Sequence, residues 1–142
     1  MEEDLPMGAQ EDQENQENQE ARMLYSLYLP VTDNAGRPFP EELEWVWATL
    51  TRTVGSYTAL PPGTGCWINA TGVQACEPIV VLQVVCPASR ETEAFFAQLA
   101  RELAVRLRQE EIFLLSQPIC QPRALGGAGG RAPRPARAVA AA

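Results

Sequence analysis

Between Pro78 and Pro87 the chain reads Ile79-Val80-Val81-Leu82-Gln83-Val84-Val85-Cys86, apolar everywhere but at Gln83. A β-branched run closed by proline at both ends predicts a central strand buried on both faces. Upstream, Ala70-Thr71-Gly72 has the form of a hairpin loop, a type I turn closed by glycine in the left-handed region. Folding the chain back there pairs Asn69 with Val73, Trp67 with Ala75 and Cys66 with Cys76. The returning strand is residues 66–69, preceded by a Pro61-Pro62-Gly63-Thr64-Gly65 loop and a short strand over 56–60. Downstream, Ser89 can cap a helix from Arg90 to about Gln109, with Phe96, Leu99, Leu103 and Leu107 as its core stripe. Residues 110–117 make the last strand, Ile112 and Leu114 on one face and Phe113 and Leu115 on the other.

Further upstream, residues 23–29 alternate Met23, Tyr25, Leu27, Leu29 against Leu24, Ser26, Tyr28, a strand largely apolar on both sides. Pro30 ends it, and Asp33-Asn34-Ala35-Gly36 turns the chain. Pro40 suits the first turn of a helix, where its missing N–H costs nothing, and Glu41, Glu42 and Glu44 favour the positive end of the dipole. Leu43, Val46, Trp47, Leu50 and Val54 fall on one stripe, and Gly55 stops the helix.

The order is β-α-β-β-α-β, which predicts an α+β, ferredoxin-like sandwich: a four-stranded antiparallel sheet with two helices on one face. Right-handed crossovers put the first and third strands side by side in the centre. Those two strands are apolar on both sides, so the face away from the helices is the informative surface. With Tyr25, Leu27, Val81 or Val85 pointing that way, a lone subunit exposes a broad apolar patch. Stacking two sheets hides it, which predicts a homodimer of the α+β-barrel kind with an ordinary two-fold interface.

Gly65-Cys66-Trp67, then Gly72, then Glu77-Pro78 ahead of the apolar strand, resembles a family of small bacterial proteins of unknown function. That family carries a Gly-x-Trp element, a Gly turn, a Glu-Pro dipeptide and a Val-rich strand. Gln109-Glu110-Glu111-Ile112 is similar to its Gln-Glu step into the last strand, and Gly36-Arg37-Pro38-Phe39-Pro40 resembles related bacterial sequences. The resemblance covers about residues 23–119 and neither tail. It implies the fold and supplies no activity, cofactor or catalytic residue.

The 142 residues, 46% hydrophobic and 20% charged, fit one domain. Residues 1–22 are acidic, carry the near-repeat Gln-Glu-Asn-Gln-Glu-Asn-Gln-Glu and have no aromatic, which predicts a disordered tail. Residues 122–142, rich in Ala, Gly, Pro and Arg, predict a second one, leaving 23–121 as the folded domain. Histidine is absent and every basic residue is Arg, which excludes an imidazole triad, a Schiff-base lysine and a P-loop lysine. A net charge of -7 argues against nucleic acid and anionic membrane as partners. No apolar run is long enough to span a membrane and no secretory signal is visible, so the expected compartment is the cytoplasm. Cys66, Cys76, Cys86 and Cys120 form no CxxC and have no His beside them, so no metal or cofactor is expected and the thiols are expected free.

Few residues stand out as sites. Cys66 and Cys76 are cross-strand neighbours, a redox pair or two small hydrophobes. Trp67 and Glu77, with Tyr57 before the loop, could line a barrel mouth, Glu77 serving as a base; alternatively Trp67 packs the hairpin and Glu77 faces water. Arg101, Arg106 and Arg108 interleave with Glu102 and Glu110, a solvated face. Trp45 lies off the helix stripe and, like Tyr25 on the sheet, is a candidate contact for a partner. The leading expectation is a non-enzymatic, homodimeric domain that binds a protein or small ligand. The alternative is a cofactor-free enzyme using Glu77, Tyr57 and Trp67.

Overall fold

The computed structural model describes residues 21–120, 122–127 and 139. Its elements are β1 (Arg22–Pro30), α1 (Pro40–Thr53), β2 (Thr58–Ala59), β3 (Gly63–Ile68), β4 (Gln74–Pro87), α2 (Arg90–Arg106) and β5 (Phe113–Ile119). The expected tails fall mostly outside the described residues.

The fold is the expected ferredoxin-like α+β sandwich. β1 and β4 pair antiparallel in the centre, from Arg22–Pro87 to Pro30–Ile79. β5 flanks β1, and β2 and β3 both flank β4. The sheet has five strands where four were expected, and the register explains the extra one. β2 sets Thr58 against Gln83, whereas β3 sets Gly63 against Ile79. The two are one edge strand offset by a single residue at Pro61-Pro62, as at a bulge. Two prolines cannot donate to the ladder, and an edge strand tolerates them. The loop expected over residues 61–65 therefore ends sooner, and β3 begins at Gly63.

Alternation assigns the faces. On one side Tyr25, Leu27 and Leu29 stand beside Val84, Leu82 and Val80, all buried against the helices with Leu43, Val46, Leu50, Phe96, Leu99 and Leu103. Burying that many aliphatic and aromatic side chains, at about 1.5–3 kcal/mol each, is what holds the layers together. Tyr25 stacks on Phe96 with ring centroids 4.2 Å apart. Of the four residues considered for the face away from the helices, Tyr25 and Leu27 thus point toward the helices instead, and Val81 and Val85 point away. Leu24, Ser26 and Tyr28 are the residues of β1 that do, opposite Val85, Gln83 and Val81.

Local signals behave as their chemistry requires. Pro40 opens α1 with Glu41 and Glu42 in the first turn. Ser89 caps α2, its Oγ accepting the Thr92 N–H at 3.0 Å. α2 stops at Arg106, short of Gln109, because Leu107 and the positive φ of Arg108 turn the chain. β5 consequently starts at Phe113 rather than residue 110.

Candidate functional site

β4 outruns β1. Its pairing with β1 ends at Ile79, while its pairing with β3 continues to Gln74. Residues 64–78 therefore project as a two-stranded arm. At its tip the Asn69 N–H donates to the Val73 carbonyl, and Gly72 takes φ +78° to close the turn. The Asn69 carboxamide accepts from Thr71 and Val73, so the Asn-Ala-Thr triplet works as a turn. Trp67 is 46% and Ile68 68% exposed, and no arm residue belongs to the buried core.

The Cys66–Cys76 register is the expected one, and the two are joined by a disulfide with Cα atoms 4.1 Å apart. Since the Asn69 N–H makes a ladder bond to the Val73 carbonyl, the bonded pairs recur every second residue and Cys66–Cys76 falls at a non-bonded site, where strands approach closest. The expectation of free thiols is thus overturned for Cys66 and Cys76, which the hairpin register brings within bonding reach, and holds for the buried Cys86 and the exposed Cys120.

Glu77 lies across from Gly65 and diagonal to Trp67, on the face turned from the helices. A Cβ at Gly65 would stand 3.2 Å from Ile79 Cγ2, so the Ile79 side chain lies over the glycine beside this carboxylate. Partial burial pushes the Glu77 carboxyl above its ordinary pKa. Tyr57 does not join these two. It precedes β2 at the other end of the edge and packs on the helix-side core, so the pocket of Trp67, Glu77 and Tyr57 is not assembled within one subunit.

The remaining candidates are similarly relocated. Trp45 is half-covered by Arg106, whose guanidinium sits 3.8 Å from its ring centroid. Arg106 also pairs with Glu102 at 3.2 Å, as the interleaved charges suggested. Tyr25 is buried, and desolvation, then Cys86 and Glu93, raise its phenol pKa. The Trp47 indole N–H is the one buried side-chain donor without a partner among the described residues.

Sequence reasoning named Val81 and Val85 for the open sheet face and missed its other members. The face carries Leu24, Tyr28, Ile79, Val81, Val85, Phe113 and Leu115 around a Ser26–Gln83 contact. Phe113 is 62% exposed, edge-on to Tyr28 at 5.4 Å. Phe113 aligns with Tyr28 and Val81 in the sheet, but strands apolar at both parities do not announce which face is which. Among the described residues no helix is long and apolar enough to cross a membrane, and no group of three or more His, Cys, Asp or Glu could hold a metal.

Scans of the sequence against protein-family models and curated proteins find no match. The resemblance to small bacterial proteins therefore rests on the short motifs alone. Three solved chains are similar in shape, two of them as follows. One is a phage SAM lyase in complex with S-methyl-5'-thioadenosine, with TM-score 0.57 and 13% identity, covering 70% of this chain and 82% of that one. The other is a Bacillus cereus protein related to NIF3, with TM-score 0.50 and 14% identity over 72% of this chain. This chain spans only 26% of the length of that second protein. At such identities the likeness is one of fold.

Proposed function

We propose that this chain is a self-associating binding domain rather than an enzyme, and that a second copy covers its open sheet face. The carrying observation is the apolar open face, with Phe113 exposed beside Tyr28 and no helix over it among the described residues. Apolar patches of this kind on small domains mark interfaces. The arm, with Trp67 and Ile68 in solvent, is the surface for a protein or small ligand. The net charge of -7 supports a partner other than nucleic acid. The enzyme alternative has less support, because Tyr57 stands on the opposite side of the sheet from Trp67 and Glu77.

Native mass spectrometry with sedimentation tests the reading. The wild-type chain is expected to run as a dimer, and Phe113→Glu as a folded monomer, because a charge at that position cannot be buried unpaired. A wild-type chain that stays a bare monomer at tens of micromolar would refute it.

A further inference from the structure

The open face carries two charges among its strand residues, and they stand at opposite ends. Arg22 is at the β1–β4 end, opposite Pro87. Glu77 is on the arm, opposite Gly65. Leu82 lies midway along β4 between the Pro87 and Glu77 positions, paired with Leu27. At about 3.4 Å per residue, each charge is about 17 Å from that midpoint.

Equal and opposite charges equidistant from a centre are complementary to their own image under one particular rotation. A two-fold axis lying between the sheets, directed across the strands at Leu82, reverses the strand direction and superposes the two ends. An axis along the strands would instead oppose Arg22 to Arg22 and Glu77 to Glu77. Like charges facing one another across an apolar interface are costly, so the charge pattern discriminates between the two stackings.

Resting on the self-association proposed above, we infer that the second copy is stacked with its strands running opposite. Arg22 of each protomer then meets the partner's Glu77, once at each end of the interface. The Tyr28–Val81 row faces the Ser26–Gln83 row, so the bulkier residues sit over the smaller polar contact. Closed two-fold symmetry makes both ion pairs from one arrangement. Aligned sheets cross at about 30°, which the long arginine side chain spans.

The dimer constant of full-length protein tests this with R22E, E77R and the R22E/E77R double variant. Each single variant is expected to weaken self-association about tenfold, two rim pairs being lost together. The double variant should recover to within about threefold of wild type. R22K supplies a second measurement, because the sequence contains no lysine. Carbodiimide should then join the introduced amine to the partner's Glu77, and R22K/E77Q should not be joined. A monomeric wild type overturns both this arrangement and the reading beneath it. A wild-type dimer indifferent to all three charge variants, or one with no cross-link in R22K, overturns the stacking alone.

Discussion

Cys86 sits at the end of β4 facing the helices, fully buried beside Tyr25. Burial pushes its thiol from 9.0 up to about 11, against a smaller opposing effect of Arg22. A raised folded pKa means that the native state holds the proton longer than the unfolded chain does. The stability tied to this group is whole below pH 9.0 and is lost as pH climbs toward 11. Thermal melts should therefore show an alkaline decline over that window, reduced in Cys86→Ala relative to that variant's own neutral-pH stability. Alkylation at pH 8 should label Cys120 and spare Cys86, read by peptide mass spectrometry, because thiolate and access are both needed. The sequence exposes the thiol but not its burial, since Met23 on the same strand side and Leu24 on the other differ little in polarity.

At the element scale the caps and turns were the most legible features, because each is decided by a few adjacent residues. Ser89 is the clearest case. Its Oγ accepts the Thr92 N–H and also donates to Thr92 Oγ1 at 2.8 Å, a hydroxyl on a fully buried residue. Ser89→Ala should cost about 1–2 kcal/mol, or several degrees in Tm, because it leaves two groups unsatisfied. Ser89→Asp should recover the backbone cap in differential scanning fluorimetry. Strand phase was far less legible. β1 and β4 are apolar at both parities, so the alternation does not label its own faces, and Tyr25 and Tyr28 look interchangeable on paper. The bulge at Pro61-Pro62 was read as a loop for a related reason: prolines mark a break in donation without saying whether the strand resumes. The Trp67–Glu77 juxtaposition followed from the hairpin register, whereas the separation of Tyr57 required the register shift across that bulge.

For the whole molecule, the arm and the body are separable in stability. The buried core holds no residue of the arm, and the disulfide closes a span of 10 residues within it. Reducing Cys66–Cys76 should raise amide exchange across residues 64–78 while changing the body's unfolding free energy by less than about 1 kcal/mol. A global loss of about 2–3 kcal/mol, the amount expected for a loop constraint acting on all of folding, would contradict that independence. In an oxidising compartment the bond persists, and in a reducing one the arm carries two thiols across its narrowest pairing.

The outer rims of the sheet carry Pro61 and Pro62 on one side and Pro118 on the other. None of the three offers an amide hydrogen to a stranger's backbone. Lateral addition of further chains, sheet beside sheet, meets an interruption at both borders. Growth into fibres is thereby discouraged, and the greasy reverse of the sheet is left as the surface on which a finite, self-limiting assembly can close.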